Sequence, residues 1–251
     1  MKTLEEKTLS KKAILNRKTI PFWVFNLFVL AFMYGWIWIH DQPSAEGVKQ
    51  PLRTVLDKNE KFFNNWISNA HKAKSYSLSA AAKNVRVNGN LGLGNDFDPG
   101  TWALHVIKAK GDTVTLKLDD IKKLPKSEII FDFKCIEGWS QVTHWGGVKL
   151  SDFMKAYNLN DEIAMNYIGM STPDEEYYVG IDMPSALHPQ TLLCYEMNGK
   201  PLPMNQGYPL RLIIPVKYGI KSLKRIGSIY FDNERPPDYW AERGYDYFSG
   251  L

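Results

Sequence analysis

The sequence predicts a mixed α+β domain preceded by one transmembrane helix, and three observations carry that expectation. Residues 20–39 contain no charged side chain. From about residue 76 onward, short β-type runs outnumber helical ones and are separated by turns. No regular strand–helix–strand alternation is visible, which sets aside a doubly wound parallel sheet. The 251 residues suffice for one sizeable domain with an appendage. At 44% hydrophobic and 23% charged, the composition is that of a folded chain.

The N-terminal element comes first. Residues 1–19 hold six basic side chains (Lys2, Lys7, Lys11, Lys12, Arg17 and Lys18) against Glu5 and Glu6. The rest of the chain carries 25 basic and 25 acidic side chains and is neutral. A nucleic-acid binder would place its basic surplus on the folded part, so that class is excluded. The apolar run 20–39 has the length of a bilayer-spanning helix, about 30 Å at 1.5 Å per residue. Trp23 lies near one end, and Trp36 and Trp38 near the other, where interfacial aromatics belong. Basic residues precede the run and His40 to Val48 holds none, so the positive-inside rule puts the N-terminus in the cytoplasm. A cleaved signal peptide is the alternative. The run exceeds a 7–15-residue signal core, and no small-residue cleavage site follows it.

Between 40 and 75, Leu52, Val55, Leu56, Phe62, Phe63, Trp66, Ile67 and Ala70 recur at helical spacing and predict an amphipathic helix packed on the domain. The domain itself is expected over 76–251. Its strands are expected at Asn84–Val87, Trp102–Ile107, Thr113–Leu118, Ile129–Phe133, Ala164–Met170, Leu192–Tyr195, Leu210–Pro215 and Ser228–Phe231, with helices at Asp119–Leu124, Leu150–Tyr157 and Pro184–Leu187. Three motifs carry no function. Gly89 to Gly94 has the wrong order for a dinucleotide fingerprint. Asp96 to Gly100 lacks the acidic twelfth residue of a calcium loop, since Ile107 stands there. His144 reads as a polar or supporting residue and not as a metal ligand.

Chemistry concentrates in two stretches. In the first, an apolar strand ends at Cys135 and enters a Gly138–Trp139 turn. A cysteine so placed can present a thiolate as nucleophile or soft metal ligand, or can be a small buried hydrophobe. Its partner Cys194, fifty-nine residues on, forms no zinc, haem or redox motif with it and reads as core. The second stretch offers Gln206-Gly207-Tyr208-Pro209 leading to Arg211, then Tyr218-Gly219 with Lys221 and Lys224. Two loops rich in backbone N–H groups and cations suit a phosphate-bearing anion; a solvated basic turn explains them equally well.

Both stretches resemble the sulfite oxidase superfamily of molybdopterin-dependent oxidoreductases. Cys135-Ile-Glu137-Gly138-Trp139-Ser140 followed by Trp145-Gly-Gly-Val-Lys-Leu150 is similar to the segment around that family's metal cysteine. His188 to Lys224 matches a second family block nearly throughout, and Arg235 to Tyr245 is of the family's kind. The resemblance spans about 76–251 and implies a sulfite-oxidase-type mixed α/β molybdopterin-binding domain. It implies that Cys135 ligates molybdenum beside the cofactor's dithiolene, and that Arg86, Asn88, Thr172, Gln206, Arg211, Ser222, Leu223 and Lys224 contact a molybdenum–molybdopterin cofactor. Tyr178 falls near the place of an active-site tyrosine.

The resemblance implies oxygen-atom transfer on a sulfur compound, either sulfoxide reduction or sulfite oxidation. A domain of the same fold that has lost the cofactor and serves as a binding module is the rival. Few cations remain for a sulfite dianion once Arg211 and Lys224 serve the cofactor, and the chain ends at Leu251, soon after the cofactor region. Both point to the periplasmic sulfoxide-reductase branch, acting on oxidised methionine as a monomer. No second redox motif is present, so a separate haem or quinone-linked electron carrier is expected. The expected location is the cytoplasmic membrane, single-pass, with the domain on the periplasmic side. Arg17-Lys18 stands where a twin-arginine signal would be, so either that pair suffices for export, or the domain takes another route or stays inside.

Overall fold

The computed structural model describes residues 4–64 and 71–251, and divides into two compact units, Met1–Thr54 and Val55–Leu251. In the first, helix α1 (Leu4–Asp41) contains a segment, Thr19–Asp41, long and apolar enough to cross a membrane. Its apolar side chains are exposed all round, Phe28 by 71% and Trp23 by 69%, as a lipid-facing helix requires. Asn26 donates its side-chain amide to the Phe22 carbonyl at 2.8 Å, so this polar group is satisfied within the helix. Strands β1 (Ser44–Ala45) and β2 (Val48–Lys49) then form a tight hairpin. Its turn residues Glu46 and Gly47 both have positive φ, the geometry that matches strand twist.

Helix α2 (Gln50–Asn64) follows. Of the expected apolar series, Leu52, Val55 and Phe62 stay exposed and Leu56 is half-buried, while Asp57 and Glu60 both pair with Arg235. Acidic side chains at i and i+3 share a helix face, and one guanidinium fork satisfies both. Trp66, Ile67 and Ala70 of the expected series lie outside the described residues.

The rest of the second unit holds two five-stranded sheets. The elements in order are β3 (Leu104–Ile107), β4 (Thr113–Leu116), α3 (Leu118–Lys122), β5 (Lys126–Lys134), β6 (Ser140–Lys149), α4 (Leu150–Ala156), α5 (Asn160–Ile163), β7 (Tyr167–Ser171), β8 (Tyr178–Asp182), α6 (Met183–Ala186), β9 (Leu192–Met197), β10 (Lys200–Pro201), β11 (Arg211–Ile213) and β12 (Ser228–Asp232). One sheet runs β10-β9-β6-β5 with β11 also on β9, and the other runs β4-β3-β12-β7-β8. All pairs are antiparallel except β12 with β3. The mixed α+β expectation therefore holds.

Strand parity separates two cores. Val148, Leu193 and Leu212 join residues of the other sheet, such as Leu104, Ile168 and Ile229, in the larger cluster. Their strand neighbours Cys194 and Ile213 turn to the opposite face, with Phe131 and Trp145. Cys194 is fully buried there, as expected. Each fully buried large side chain contributes about 1.5–3 kcal/mol. Burial on both faces explains why β9 reads as a continuous apolar run and not as an alternation.

Among the strands that were not anticipated, β6 and β8 are the longest; β1, β2 and β10 have two residues each. In β6, Gly146 and Gly147 interrupt the apolar pattern, yet a Cβ at Gly147 would fall 2.0 Å from the Leu193 carbonyl oxygen. The glycine allows close strand approach at a β-bulge. In β8 the short run Tyr178–Asp182 is stabilised by full-length pairing with β7. The converse error concerns Asn84–Val87, which is an irregular segment with a bend at Asn84 and no ladder pairing, and not a strand.

Candidate functional site

The β5–β6 hairpin supplies one wall of a cleft with a volume of about 150 Å³. β5 leads into Cys135, and the chain reverses so that the Cys135 N–H donates to Trp139 O at 2.9 Å and the Gly138 N–H to Cys135 O at 3.1 Å. Gly138 sits at φ +89°, where a Cβ would be strained. Cys135 lines the cleft and is 6% exposed. The Asn88 amide donates to its Sγ at 3.4 Å.

The opposite wall comes from β11 and two loops. Arg211 opens β11, locked in place by pairing with Cys194 on β9. Its guanidinium lies 4.5 Å from the Trp145 ring centre and donates to Gln206 O at 3.0 Å, Gln206 Oε1 at 2.9 Å and Ser222 O at 3.4 Å. Its Nε is buried without a hydrogen-bond partner among the described residues. No carboxylate pairs with Arg211 among the described residues, and burial lowers its pKa to about 10. Lys224 donates to the carbonyls of Asn88 at 2.7 Å, Gly89 at 2.9 Å and Asn205 at 3.3 Å. Burial, and then the Arg211 charge, lower its pKa to about 7. The loops meet at Gly207, φ +97°, where a Cβ would stand 2.8 Å from Lys224 Cβ and the Arg225 nitrogen. Two desolvated cations without an acidic partner mark a place for an anion.

Of the residues expected at the site, the structure brings Cys135, Arg86, Asn88, Gln206, Arg211, Ser222 and Lys224 to this cleft. Three lie outside its lining. Leu223 belongs to the larger core and is fully buried. Thr172 is buried behind Gly92, whose added Cβ would meet it at 2.3 Å, and its hydroxyl donates to Asp174. Tyr178 turns outward and donates to Glu242, while the preceding Tyr177 lines the cleft, because neighbouring residues at a strand end face opposite ways. The Tyr177 hydroxyl donates to the Ile220 carbonyl at 2.5 Å, and burial pushes its pKa well above the usual phenol value.

Sequence reasoning missed Phe133, Trp139, Gln141, Thr143, Trp145, Trp240 and Tyr245, all of which line the cleft. A signal existed for some of them. Gln141, Thr143 and Trp145 lie at alternate positions of β6, so parity would have found them had β6 been recognised. The mouth is aromatic: Trp240 and Tyr245 meet edge to face at 5.1 Å, and Arg86 stacks on Trp139 at 4.6 Å.

The family profile described as oxidoreductase molybdopterin binding domain matches residues 91–240. The chain is 32% identical over 180 residues to the protein-methionine-sulfoxide reductase catalytic subunit of Campylobacter jejuni subsp. jejuni, covering 64% of this chain and 60% of that protein. It is 28% identical over 181 residues to mitochondrial sulfite oxidase of Rattus norvegicus, covering 61% of this chain and 33% of the rat protein. The chain thus spans less than two thirds of these relatives. In fold it is similar to the sulfane dehydrogenase SoxCD from Paracoccus pantotrophus, with a TM-score of 0.50 at 14% identity over 56% of this chain and 40% of that one.

Proposed function

The chain belongs to the oxidoreductase molybdopterin-binding domain family, and on that premise we propose that it is a membrane-anchored molybdenum–molybdopterin enzyme that reduces sulfoxides, with methionine sulfoxide the favoured substrate. The observation that carries this is Arg211, a buried guanidinium with an unpartnered Nε in the cleft that also holds Cys135. A phosphate-bearing cofactor with a thiolate-bound metal needs a soft ligand and a buried cation in one cavity, and the residues present fit that group. Cys135 would supply the thiolate. Arg211, Lys224, Ser222 and Gln206 would hold the phosphate end, with Arg86 and Asn88 on the pterin, and Thr172 and Leu223 would support the clamp from behind.

When bound, the cofactor would supply the two-electron redox couple for oxygen-atom transfer. The chain's residues do the rest. Trp139, Trp240 and Tyr245 give the mouth an apolar aromatic wall suited to a methionine side chain. The Tyr177 hydroxyl, protonated at neutral pH as any phenol is, directs its proton at Ile220 O. The net reaction takes two electrons and two protons per sulfoxide and releases the thioether and water. The electrons would come one carrier encounter at a time from a separate haem or quinone-linked protein.

In this reading residues 1–19 form a cytoplasmic basic tail, 20–39 the anchor, 40–75 a juxtamembrane segment and 76–251 the catalytic domain on the periplasmic side. The relative from Campylobacter jejuni, named for sulfoxide reduction, supports the direction. One observation favours sulfite oxidation instead: Arg86 at the mouth is exposed and rests on Trp139, with no ion pair among the described residues, and is placed to meet an anion. Metal analysis together with steady-state assays tests both readings. Molybdenum near one per chain with methionine sulfoxide turnover is expected. Sulfite turnover without sulfoxide activity refutes the direction, and a metal-free protein refutes the cofactor.

A further inference from the structure

Residues 82–94 roof the cleft without belonging to a sheet. Their one backbone hydrogen bond to another segment among the described residues is Ala82 N–H to Val142 O at 3.0 Å. Side chains hold the remainder. Asn198 donates to Ala82 O at 3.0 Å and Lys83 O at 3.3 Å. Gln206 donates to Val85 O and Arg86 O, and Lys224 and Arg225 hold the far end. Gln141 differs from these, because it engages the segment on both sides of its amide. Its Nε2 donates to Asn84 O at 3.2 Å, and its Oε1 accepts from Arg86 N–H at 2.9 Å.

We infer that Gln141 is a positioning residue for the reaction centre: its side-chain amide replaces a missing strand partner and fixes the segment so that Asn88 donates to Cys135 Sγ. The geometry supports this at each step. The carbonyl of residue 84 and the N–H of residue 86 both meet Gln141, as the C=O of residue i and the N–H of residue i+2 meet one neighbour in a ladder. One carboxamide, carrying a donor and an acceptor, can satisfy both. Gln141 stands on β6 two residues after Trp139, whose carbonyl accepts from Cys135 N–H. The rigid hairpin that carries the thiol therefore also carries the group that sets the roof. Residues 84, 86 and 88 follow a period of two, and both side chains in that series that touch the hairpin meet its turn: Arg86 on Trp139, and Asn88 on Cys135. Lys224 secures Asn88 from the other end through its carbonyl, so the amide is held between two fixed points.

The inference rests on the proposed function, in which Cys135 carries the metal. An N–H donor withdraws electron density from a metal-bound thiolate, and outer-shell partners of this kind tune potential and ligand orientation. Gln141 would act on the metal through Asn88 without touching it. The test uses the full-length protein as purified, with Gln141→Leu, Asn88→Ala and the double variant. The readouts are the midpoint potential of the bound molybdenum, its paramagnetic resonance signature and hydrogen exchange across 82–94.

Gln141→Leu should lower the potential, alter the signature and speed exchange around Arg86 at least tenfold. In the Asn88→Ala background it should move the potential no further, because the two changes act through one bond. A potential unchanged by Gln141→Leu, or lowered equally in both backgrounds, overturns the positioning role. Unchanged exchange across the segment overturns it whether or not metal is present. A parent protein without molybdenum instead refutes the cofactor reading, while the exchange measurement still decides whether Gln141 fixes the roof.

Discussion

Lys224 links the stability of the cofactor-free chain to pH. Its ammonium is enclosed by three backbone carbonyls and no carboxylate offsets its burial, so its pKa falls from 10.5 to about 7. At about 1.4 kcal/mol per pH unit, that gap is worth at most about 5 kcal/mol. The sign follows from proton counts. Between about pH 7 and 10.5 the unfolded lysine holds a proton that the folded one lacks, so stability rises with pH across that window. The penalty is complete below about pH 7 and gone above 10.5. A bound phosphate reverses the effect by favouring the ammonium. Loading then takes up as much as one proton, and affinity falls by up to about tenfold per pH unit above 7. Urea unfolding of cofactor-free protein between about pH 6 and 9.5, for the parent and for Lys224→Met, measures this. The parent should gain several kcal/mol relative to the variant as pH rises. Parallel profiles for the two proteins would show that the burial of Lys224 carries no such penalty.

Cys135→Ser should fold as the parent does and lose metal-centred turnover, since a hydroxyl is a harder and far less acidic ligand than a thiolate; parental turnover with bound molybdenum would remove Cys135 from the metal. Phe131→Ala, at a side chain 1% exposed beneath the roof, should cost about 3–5 kcal/mol in chemical unfolding, and a loss below about 1 kcal/mol would mean that the smaller core collapses around the cavity. Protease added to intact spheroplasts should degrade the domain while sparing a short N-terminal fragment; digestion only after lysis would reverse the proposed topology.

How much was legible in the sequence depends on how local each signal is. The membrane segment rests on an unbroken apolar run, which needs no partner to be read. Cys135, Arg211 and Lys224 were found through two long ordered motifs, and the structure places all three in one cleft. What escaped depends on distant partners. β6 was hidden by Gly146 and Gly147, which look like loop residues until the Leu193 carbonyl oxygen arrives from β9 and leaves no room for a Cβ at Gly147. The acidic face of α2 reads as solvated until Arg235, far along the chain, closes on Asp57 and Glu60.

The segment around Asn84–Val87 shows the same limit from the other side. Its residues have the spacing of a strand, yet it pairs with no strand among the described residues. Amides from Asn198, Gln141 and Gln206 take the place of a neighbouring backbone, and the sequence pattern of an extended chain cannot distinguish the two kinds of partner. The difference matters for function. A strand in a ladder is fixed by many equivalent bonds, whereas a segment held by individual side chains can be adjusted one residue at a time. In this protein that adjustable segment carries Asn88 to the sulfur of Cys135, so the part of the fold least visible in the sequence is the part best placed to tune the site.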